Sequence, residues 1–375
     1  MRALIDGRPL ARGWGGVPRY TYNLIQALNS APRHHEYNVL SWRGEYTKVR
    51  MLSPLPVASS PLPGRILVWG ADRERWGLPG IGLRHPHLFH GTDFQTLRFG
   101  RAATVSTIHD VAYLRVPHCY APGASEQFDA TVRRSIRTAD HLLTDSARAR
   151  ADPLDAYTLD PDRVSVVHPA VCTSDSMMIP QKNDGEFTAP TLPFGSESFP
   201  LHVGAINARK NPANLIDGFV QATAEDDFQL VLAGPDGADP TYVRAIRSLV
   251  KAHLCQGRVH LLGPVSQARI HDLYTRCAAV ATLGLYEGFG LPAVEAMLHS
   301  RPLVAARAGA LPEIVGDAAV LVDPRDPADI AQGIKKVMTD ATTRTRLIAA
   351  GPARARLFSP ERMAAELEAI DESQL

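Results

Sequence analysis

Two successive series of strand-like and helix-like segments dominate this sequence of 375 residues. Apolar runs typical of β-strands alternate with longer runs that carry apolar residues at helical spacing, from Arg2 onwards and again from Pro200 onwards. Strands that alternate with helices along a chain form parallel sheets with helices on both faces. The sequence therefore predicts an α/β fold of two Rossmann-like, doubly wound domains facing a central cleft.

A stretch rich in proline and small polar residues, around 179–200, interrupts the alternation and is the predicted linker. The predicted organisation is an N-terminal domain at 1–180, the linker at 181–199, a C-terminal domain at 200–356 and a C-terminal helix at 357–375. One hypothesis for the last helix is that it packs back on the N-terminal domain.

Charge and cysteine content exclude several classes of protein. The net charge of +1 argues against a nucleic-acid-binding protein. The four cysteines lack CxxC spacing, which indicates neither a zinc site nor a disulfide framework. No signal peptide and no apolar run of membrane-spanning length is present, so the predicted localisation is cytoplasmic. Arg133, Arg134 and Arg137 on a predicted helix leave two alternatives, a solvated face or peripheral contact with the inner face of a membrane.

Two glutamates eight positions apart, Glu287 and Glu295, frame one glycine-containing stretch. Glu287 follows an apolar run predicted as a strand, and Pro292 suits the first turn of a helix because its missing N–H is no loss there. Ligands bind outside the carboxyl ends of strands in open α/β sheets. A helix N-terminus there also offers N–H groups to a phosphate. Both carboxylates are therefore predicted to line a ligand site.

A second motif, Gly204 to Pro212, follows the first predicted strand of the second half. It contains Arg209 and Lys210 side by side. Arginine can bind two phosphate oxygens at once, while lysine acts as a compact point charge. An isolated pair of this kind is more often a solvated turn. Together with Gly204 and the downstream glutamates, however, the pair predicts a pyrophosphate site.

Two weaker motifs lie in the first half. The loop Gly13–Val17 contains Gly15 and Gly16, which allow backbone N–H groups to approach an anion or a sugar. The loop lacks the GxGxxG pattern of a nicotinamide site. His109 and Asp110 end another predicted strand, and their position predicts a polar contact with the substrate.

These four motifs occur in this order and at similar spacing in retaining glycosyltransferases of family GT4, which the sequence resembles over nearly its whole length. The resemblance implies the GT-B architecture, with an acceptor-binding N-terminal domain and a nucleotide-sugar-binding C-terminal domain. Residues 16–24, near the N-terminus, are similar to the corresponding segment in the bacterial branch of the family, which builds polysaccharides and glycolipids. Pro18 is a departure, because many relatives have glycine there.

The resemblance also implies roles for individual residues. Arg209 and Lys210 would hold the donor diphosphate, Glu295 the ribose hydroxyls, and Glu287 the transferred sugar. The implied catalytic residues are Glu287, His109, Arg209, Lys210 and Asp110. The implied donor-binding residues are Glu295, Gly15, Gly16, Gly204, Gly288, Phe289, Gly290, Leu291 and Val265.

The implied activity is transfer of a hexose, with retention of configuration, from a nucleotide diphosphate sugar to a carbohydrate, lipid-linked or other hydroxyl acceptor. GDP-mannose is favoured over UDP-sugars, and no cofactor or metal is implied. Two alternatives stay open, a nucleotide-sugar epimerase of the same architecture and a non-catalytic sugar-nucleotide-binding protein. The sequence does not predict the oligomeric state.

Overall fold

The computed structural model describes residues 1–13, 15–31, 35–60, 86–171, 192, 195, 198–224, 226–252 and 257–374. The chain forms two compact units. The first unit comprises Met1–Val111, Glu126–Cys172 and Phe358–Leu375, and the second comprises Ala112–Ser125 and Thr173–Leu357. The predicted linker at 181–199 falls mostly outside the described residues, as do Cys172 and Cys255.

The described strands of the first unit form a parallel sheet in the order β3-β2-β1-β4-β5-β6-β7. Their bounds are β1 Arg2–Asp6, β2 Glu36–Trp42, β3 Val57–Ser60, β4 Leu88–Gly91, β5 Ala103–Thr107, β6 His141–Thr144 and β7 Val164–Val166. The direction in which successive strands are added to the sheet reverses between β1 and β4, which pair with each other in parallel. In doubly wound sheets this switch point is where a crevice opens.

The helices of the first unit are α1 Gly16–Ser30, α2 Tyr46–Leu52, α4 Ala124–Thr138, α5 Ala147–Tyr157 and α13 Pro360–Ser373, while α3 Ala112–Arg115 belongs to the second unit. Helix α1 begins at Gly16. Pro18 therefore lies in its first turn, where a missing N–H costs nothing. The sequence did not predict α2, α3 or β3. Strand β5 ends at Thr107, so His109 lies beyond it instead of ending it.

The second unit repeats the plan with parallel strands in the order β10-β9-β8-β11-β12-β13. The strands are β8 Pro200–Val203, β9 Leu230–Ala233, β10 Val259–Gly263, β11 Ala279–Thr282, β12 Leu303–Ala306 and β13 Val320–Val322. The helices are α6 Pro212–Ala222, α7 Pro240–Lys251, α8 Gln267–Arg276, α9 Leu291–Leu298, α10 Leu311–Val315, α11 Pro327–Thr339 and α12 Ala341–Ala355. Its apolar core joins helix residues such as Phe219 and Ile330 to strand residues such as Leu232. The switch point lies between β8 and β11.

The segment Ala112–Ser125 belongs to the second unit, although the predicted boundary assigned it to the N-terminal domain. The reason is apolar packing. Ala112 and Val116 form a buried cluster with Tyr286, and partly buried Leu285, Cys119 and Tyr120 pack against it. The chain therefore contributes a piece of its first half to the surroundings of Tyr286, the residue before Glu287.

Helix α13, at the C-terminus, packs on helix α1 in the first unit. The backbone N–H of Ala170 donates to the Met363 sulfur, and the N–H of Val171 donates to the Phe358 carbonyl at 2.9 Å. Near the end of the helix, the Tyr37 hydroxyl donates to Asp371 at 3.2 Å. None of the helices in the described ranges is both long and apolar enough to cross a membrane.

The burial of Asp371 leads to a prediction on pH and stability. Asp371 is 2% exposed, and burial raises the pKa of its carboxyl from the ordinary 3.8 to about 7, although the Tyr37 hydroxyl opposes the rise. The folded chain thus retains this proton to higher pH than the unfolded chain. The free energy of unfolding should consequently fall between about pH 4 and pH 7. Asp371→Asn, which cannot ionise, should be more stable than the wild type at pH 8 by an amount on the order of 2 kcal/mol.

Thermal or denaturant unfolding at pH 5 and pH 8 checks this expectation. Glu372→Gln is the matched control, because it also removes one carboxylate charge, at the next residue of the same helix. The Glu372 side chain is 63% exposed. The control should change stability by less than about 1 kcal/mol at either pH. Equal stability of Asp371→Asn and the wild type at pH 8 would contradict the account.

Candidate active site

The site of the second unit is built on the two strands that flank its switch point. Strand β8 leads into the loop that carries Gly204, Arg209 and Lys210, and strand β11 leads into the loop that carries Glu287. Parallel neighbouring strands bring their carboxyl ends to the same edge of the sheet. The two strongest sequence motifs are therefore neighbours in space, although 77 residues separate Lys210 from Glu287.

Backbone hydrogen bonds hold the two loops together. The Leu285 N–H donates to the Arg209 carbonyl at 2.8 Å, and Arg209 Nη1 donates to the Tyr286 carbonyl at 2.9 Å. Asn211 lies in the left-handed region, with φ of 62°, and its side-chain amide donates to the Leu283 carbonyl at 3.1 Å. Asparagine tolerates this backbone conformation better than most residues. The positions of both cations are thus fixed relative to the end of β11.

The Glu287 carboxylate forms ion pairs with both Arg209 and Lys210. Lys210 Nζ lies 2.7 Å from Glu287 Oε1, and Arg209 Nη1 lies 3.3 Å from Oε2. The Glu287 residue is only 5% exposed. Burial alone would raise the pKa of this carboxyl, but the charges of Lys210 and Arg209 hold it below its ordinary value. The carboxylate therefore remains ionised at neutral pH, and Arg209, Lys210 and Glu287 together carry a net charge of +1.

The glycines around Glu287 allow close backbone approach. Gly309 has φ of 57°, and a Cβ there would lie 2.5 Å from the Glu287 carbonyl oxygen. The next residue, Ala310, donates its N–H to that carbonyl at 2.8 Å. Gly290 has φ of 98° and precedes helix α9, whose first residues are Leu291 and Pro292. No side chain of the described residues caps this helix start. Pro292 has no N–H and the Ala293 N–H donates to the Gly290 carbonyl at 2.9 Å, so the Leu291 N–H and the positive end of the helix dipole are what the helix start offers to an anion.

The remaining predicted donor-binding residues of the second unit lie around this helix start and at the end of β10. Gly288 and Phe289 are buried in the loop before α9. Glu295 is 9% exposed in the second turn of α9, and the Tyr274 hydroxyl donates to its Oε2 at 2.9 Å. Val265 follows β10 and is 1% exposed.

Beneath the cations lies His202, which the sequence analysis did not select. It is 2% exposed, and its Nδ1 lies 3.0 Å from the Ala281 carbonyl oxygen. Burial lowers the pKa of His202 to about 4, so the ring is neutral and Nδ1 carries the proton that it donates to Ala281. A Cβ on Gly204 would lie 3.2 Å from His202 Nε2 and 3.5 Å from Lys210 Cδ. The glycine at 204 therefore lets the Lys210 side chain and the imidazole approach each other closely.

In the first unit, Gly15 and Gly16 form the start of helix α1. Gly15 has φ of 147°, and no side chain among the described residues caps the helix. A Cβ on Gly16 would meet nothing within 4 Å among the described residues. No described residue therefore blocks an approach to this helix start, whose first turn holds the N–H groups of Gly16 and Val17.

His109 forms a buried pair with Asp145, at the end of β6. His109 Nδ1 lies 2.8 Å from Asp145 Oδ2, and Nε2 lies 3.0 Å from the Thr92 carbonyl oxygen. The two residues are 8% and 6% exposed. Burial alone would lower the pKa of His109, but the Asp145 carboxylate and the hydrogen bonds raise it to about 9. His109 is therefore an imidazolium at neutral pH whose two N–H groups both donate to protein oxygens.

Aromatic rings hold the His109 imidazole in place. Tyr20 contacts it edge-on with a centroid separation of 4.7 Å, and Phe94 contacts it at 5.2 Å. Asp110, next in sequence, is half-buried. Among the described residues, no cluster of three or more His, Cys, Asp or Glu side chains could hold a metal ion.

The ionisation of His109 is open to direct measurement. NMR titration of the ring should give a pKa of about 9 in the wild type. In Asp145→Asn the charge that raises this pKa is gone and burial acts unopposed, so the pKa should fall below the ordinary 6.5. Asp155→Asn, at an exposed position on α5, should leave the titration unchanged. A wild-type midpoint near 6.5 would contradict the proposed ion pair.

Two comparisons with known proteins define the class of this fold. Anabaena HepE, solved in complex with UDP and glucose, superimposes with a TM-score of 0.72 and 17% identity over 100% of both chains. A glycosyltransferase of Rickettsia africae superimposes with a TM-score of 0.70 and 15% identity, over 100% of this chain and 98% of the other. The two parallel-sheet, Rossmann-like domains are those of the GT-B fold.

Family models make the assignment more specific. The model "Glycosyltransferase Family 4" matches residues 14–175, and the model "Glycosyl transferases group 1" matches residues 186–354. The chain belongs to this glycosyltransferase family, as the resemblance implied.

Two curated relatives show how far the sequence similarity extends. O-antigen chain mannosyltransferase B of Escherichia coli is 25% identical over 96% of this chain and 97% of its own length. The D-inositol 3-phosphate glycosyltransferase of Xylanimonas cellulosilytica is 32% identical over 70% of this chain and 64% of its own length. The chain is therefore a glycosyltransferase.

Proposed function

We propose that the chain transfers a hexose, with retention of configuration, from a nucleotide diphosphate sugar to a hydroxyl acceptor in polysaccharide or glycoconjugate synthesis. The observation that carries this proposal is the convergence of Lys210 and Arg209 on Glu287 at the switch point of the second sheet. Two cations beside an uncapped helix start suit a diphosphate, and a buried carboxylate beside them suits the hydroxyls of a sugar.

On donor binding, the diphosphate would become the partner of Lys210 and Arg209. Glu287 would then contact the sugar near its anomeric carbon, where positive charge develops as the glycosidic bond breaks. Glu295, four residues into α9, would accept hydrogen bonds from the ribose. The cations would stabilise the leaving diphosphate, whose negative charge grows in the transition state. Because these groups supply the positive field, we propose that transfer needs no metal ion.

Retention of configuration would follow if the acceptor hydroxyl attacks on the face that the diphosphate leaves. The leaving phosphate oxygen would take the proton of the acceptor hydroxyl. The bond from the anomeric carbon to the phosphate oxygen breaks while the bond to the acceptor oxygen forms, so the products are a glycoside and a nucleoside diphosphate. Glu287 is not assigned as a nucleophile, because it lies between two cations.

GDP-mannose is the proposed donor, and UDP-sugars are the alternatives that the test includes. Two relatives carry mannosyltransferase names, at 25% and 29% identity. The superimposed Anabaena protein holds UDP and glucose instead. The proposed acceptor is a carbohydrate or a lipid-linked sugar. The proposal therefore includes peripheral membrane contact through Arg133, Arg134 and Arg137 of α4.

A two-stage assay tests the proposal. Calorimetry first ranks GDP, UDP and ADP as ligands of the wild-type chain, and the matching sugar donors are then incubated with carbohydrate and lipid-linked acceptors. Nucleoside diphosphate should be released only when acceptor is present, and added EDTA should not slow the release. Conversion of a donor to its isomer without acceptor would instead identify an epimerase. Nucleotide binding without any release would identify a binding protein.

A further inference from the structure

The Glu295 carboxylate has a buried hydrogen-bond donor from another helix. Tyr274, on α8, donates its hydroxyl to Glu295 Oε2 at 2.9 Å, and the same hydroxyl lies 3.3 Å from the Pro292 carbonyl oxygen. Tyr274 is 1% exposed and Glu295 is 9% exposed. A hydrogen bond to a buried charge is stronger than one between neutral groups. The phenol therefore restricts the rotation of this carboxylate.

The Tyr274 ring is itself immobilised by a histidine. The His299 ring stacks on it with a centroid separation of 4.9 Å and an interplanar angle of 17°. His299 Nδ1 lies 2.8 Å from the Glu295 carbonyl oxygen, which fixes His299 at the end of α9. Burial lowers the pKa of His299, so the ring is neutral and donates from Nδ1. On its outer side, His299 Nε2 lies 2.9 Å from His271 Nδ1.

Together these contacts form a continuous series from the surface to the Glu295 carboxylate. His271 contacts His299, His299 stacks on Tyr274, and Tyr274 donates to Glu295. This series of contacts fixes the plane of the Glu295 carboxylate before any ligand binds. A carboxylate held in one orientation discriminates among donors by the position of their hydroxyl groups, because a ligand that lacks a matching hydroxyl loses the interaction.

We propose that Tyr274 is a positioning residue that orients Glu295 and thereby sets a preference for ribonucleotides over deoxyribonucleotides in the donor site. This inference rests on the proposed function, which assigns Glu295 to the ribose hydroxyls. A merely structural Tyr274 would fill space in the core through its ring. Tyr274→Phe keeps that ring and removes only the hydroxyl, so it separates the two roles.

The experiment is calorimetric titration with the nucleoside diphosphate that the wild type prefers and with its 2′-deoxy and 3′-deoxy forms. The wild type should bind the ribose form about tenfold more tightly than the weaker deoxy form. Tyr274→Phe should bind the ribose form about five- to tenfold more weakly and the weaker deoxy form unchanged, so that the preference is largely lost. Glu295→Gln should lose the same preference, and the double variant should show no further loss.

Tyr242→Phe is the control, since it makes the same change on helix α7 of the second unit and should leave every affinity unchanged. If Tyr274→Phe keeps the wild-type preference, or weakens all three ligands equally, the positioning role is wrong while the proposed function stands. If the wild type binds no nucleoside diphosphate at all, the proposed function itself fails. The two failures are therefore distinguishable in one data set.

Discussion

Lys210→Ala should lower turnover with the preferred donor by about a hundred- to a thousandfold, because it removes a cation from the leaving diphosphate. The Lys210 side chain is only 16% exposed, so its charge acts where little water can replace it. Arg209 would still pair with Glu287 at 3.3 Å, which should keep the second unit folded. Steady-state kinetics together with thermal unfolding measure both effects.

Two further variants separate lost chemistry from lost stability. Lys335→Ala removes an exposed lysine of α11 and should keep wild-type turnover. The double variant Lys210→Ala with Glu287→Gln removes both charges of the 2.7 Å pair. It should recover any stability that the single variant lost, because no buried carboxylate is left short of a partner, but it should not recover turnover. Turnover of Lys210→Ala within threefold of the wild type would contradict the assignment.

Gly309→Ala should destabilise the second unit by about 3 kcal/mol or more and abolish turnover. The added Cβ would lie 2.5 Å from the Glu287 carbonyl oxygen and 2.6 Å from its nitrogen, distances at which the backbone must shift. The shift would break the hydrogen bond from the Ala310 N–H to Glu287 and displace the carboxylate from its cations. Thermal unfolding and the donor assay give the two readouts.

Gly316→Ala is a control that shares a positive φ with this variant. Its φ is 55°, against 57° at Gly309, and the three described atoms nearest to its added Cβ would all belong to the Arg354 side chain, the closest at 3.4 Å. The control therefore includes the strain of a side chain at positive φ, on the order of 1–3 kcal/mol, without the collision with backbone. Gly316→Ala should lose some stability and keep turnover. Equal effects of the two substitutions would show that strain alone, and not the approach to Glu287, explains the glycine at 309.

The sequence predicted most of the fold because the buried parallel strands are short apolar runs. The elements it missed lack such a pattern. Helix α2 spans seven residues, which is too short for a helical period to be distinct, and β3 contains two serines after Val57 and Ala58. The assignment of Ala112–Ser125 to the second unit depends on packing against Tyr286, which no local pattern records.

The candidate site was predictable where it follows from strand ends. Arg209 and Glu287 were found because each follows a strand at the switch point. The same rule would have selected Asp145, which directly follows β6, but its partner His109 lies 36 residues earlier and the pairing needs three dimensions. Tyr274 lies inside a helix, 21 residues before Glu295, where no sequence signal distinguishes it from a core tyrosine.

The central claim is that the cation pair and Glu287 carry sugar transfer from a nucleotide diphosphate donor. Product analysis by mass spectrometry and NMR, after incubation of labelled GDP-mannose and UDP-sugars with carbohydrate and lipid-linked acceptors, tests it most directly. The expected result is a new glycoside that keeps the donor's anomeric configuration, formed with an equal amount of nucleoside diphosphate by the wild type but not by Lys210→Ala. A glycoside of inverted configuration, or equal product from Lys210→Ala, would contradict the account.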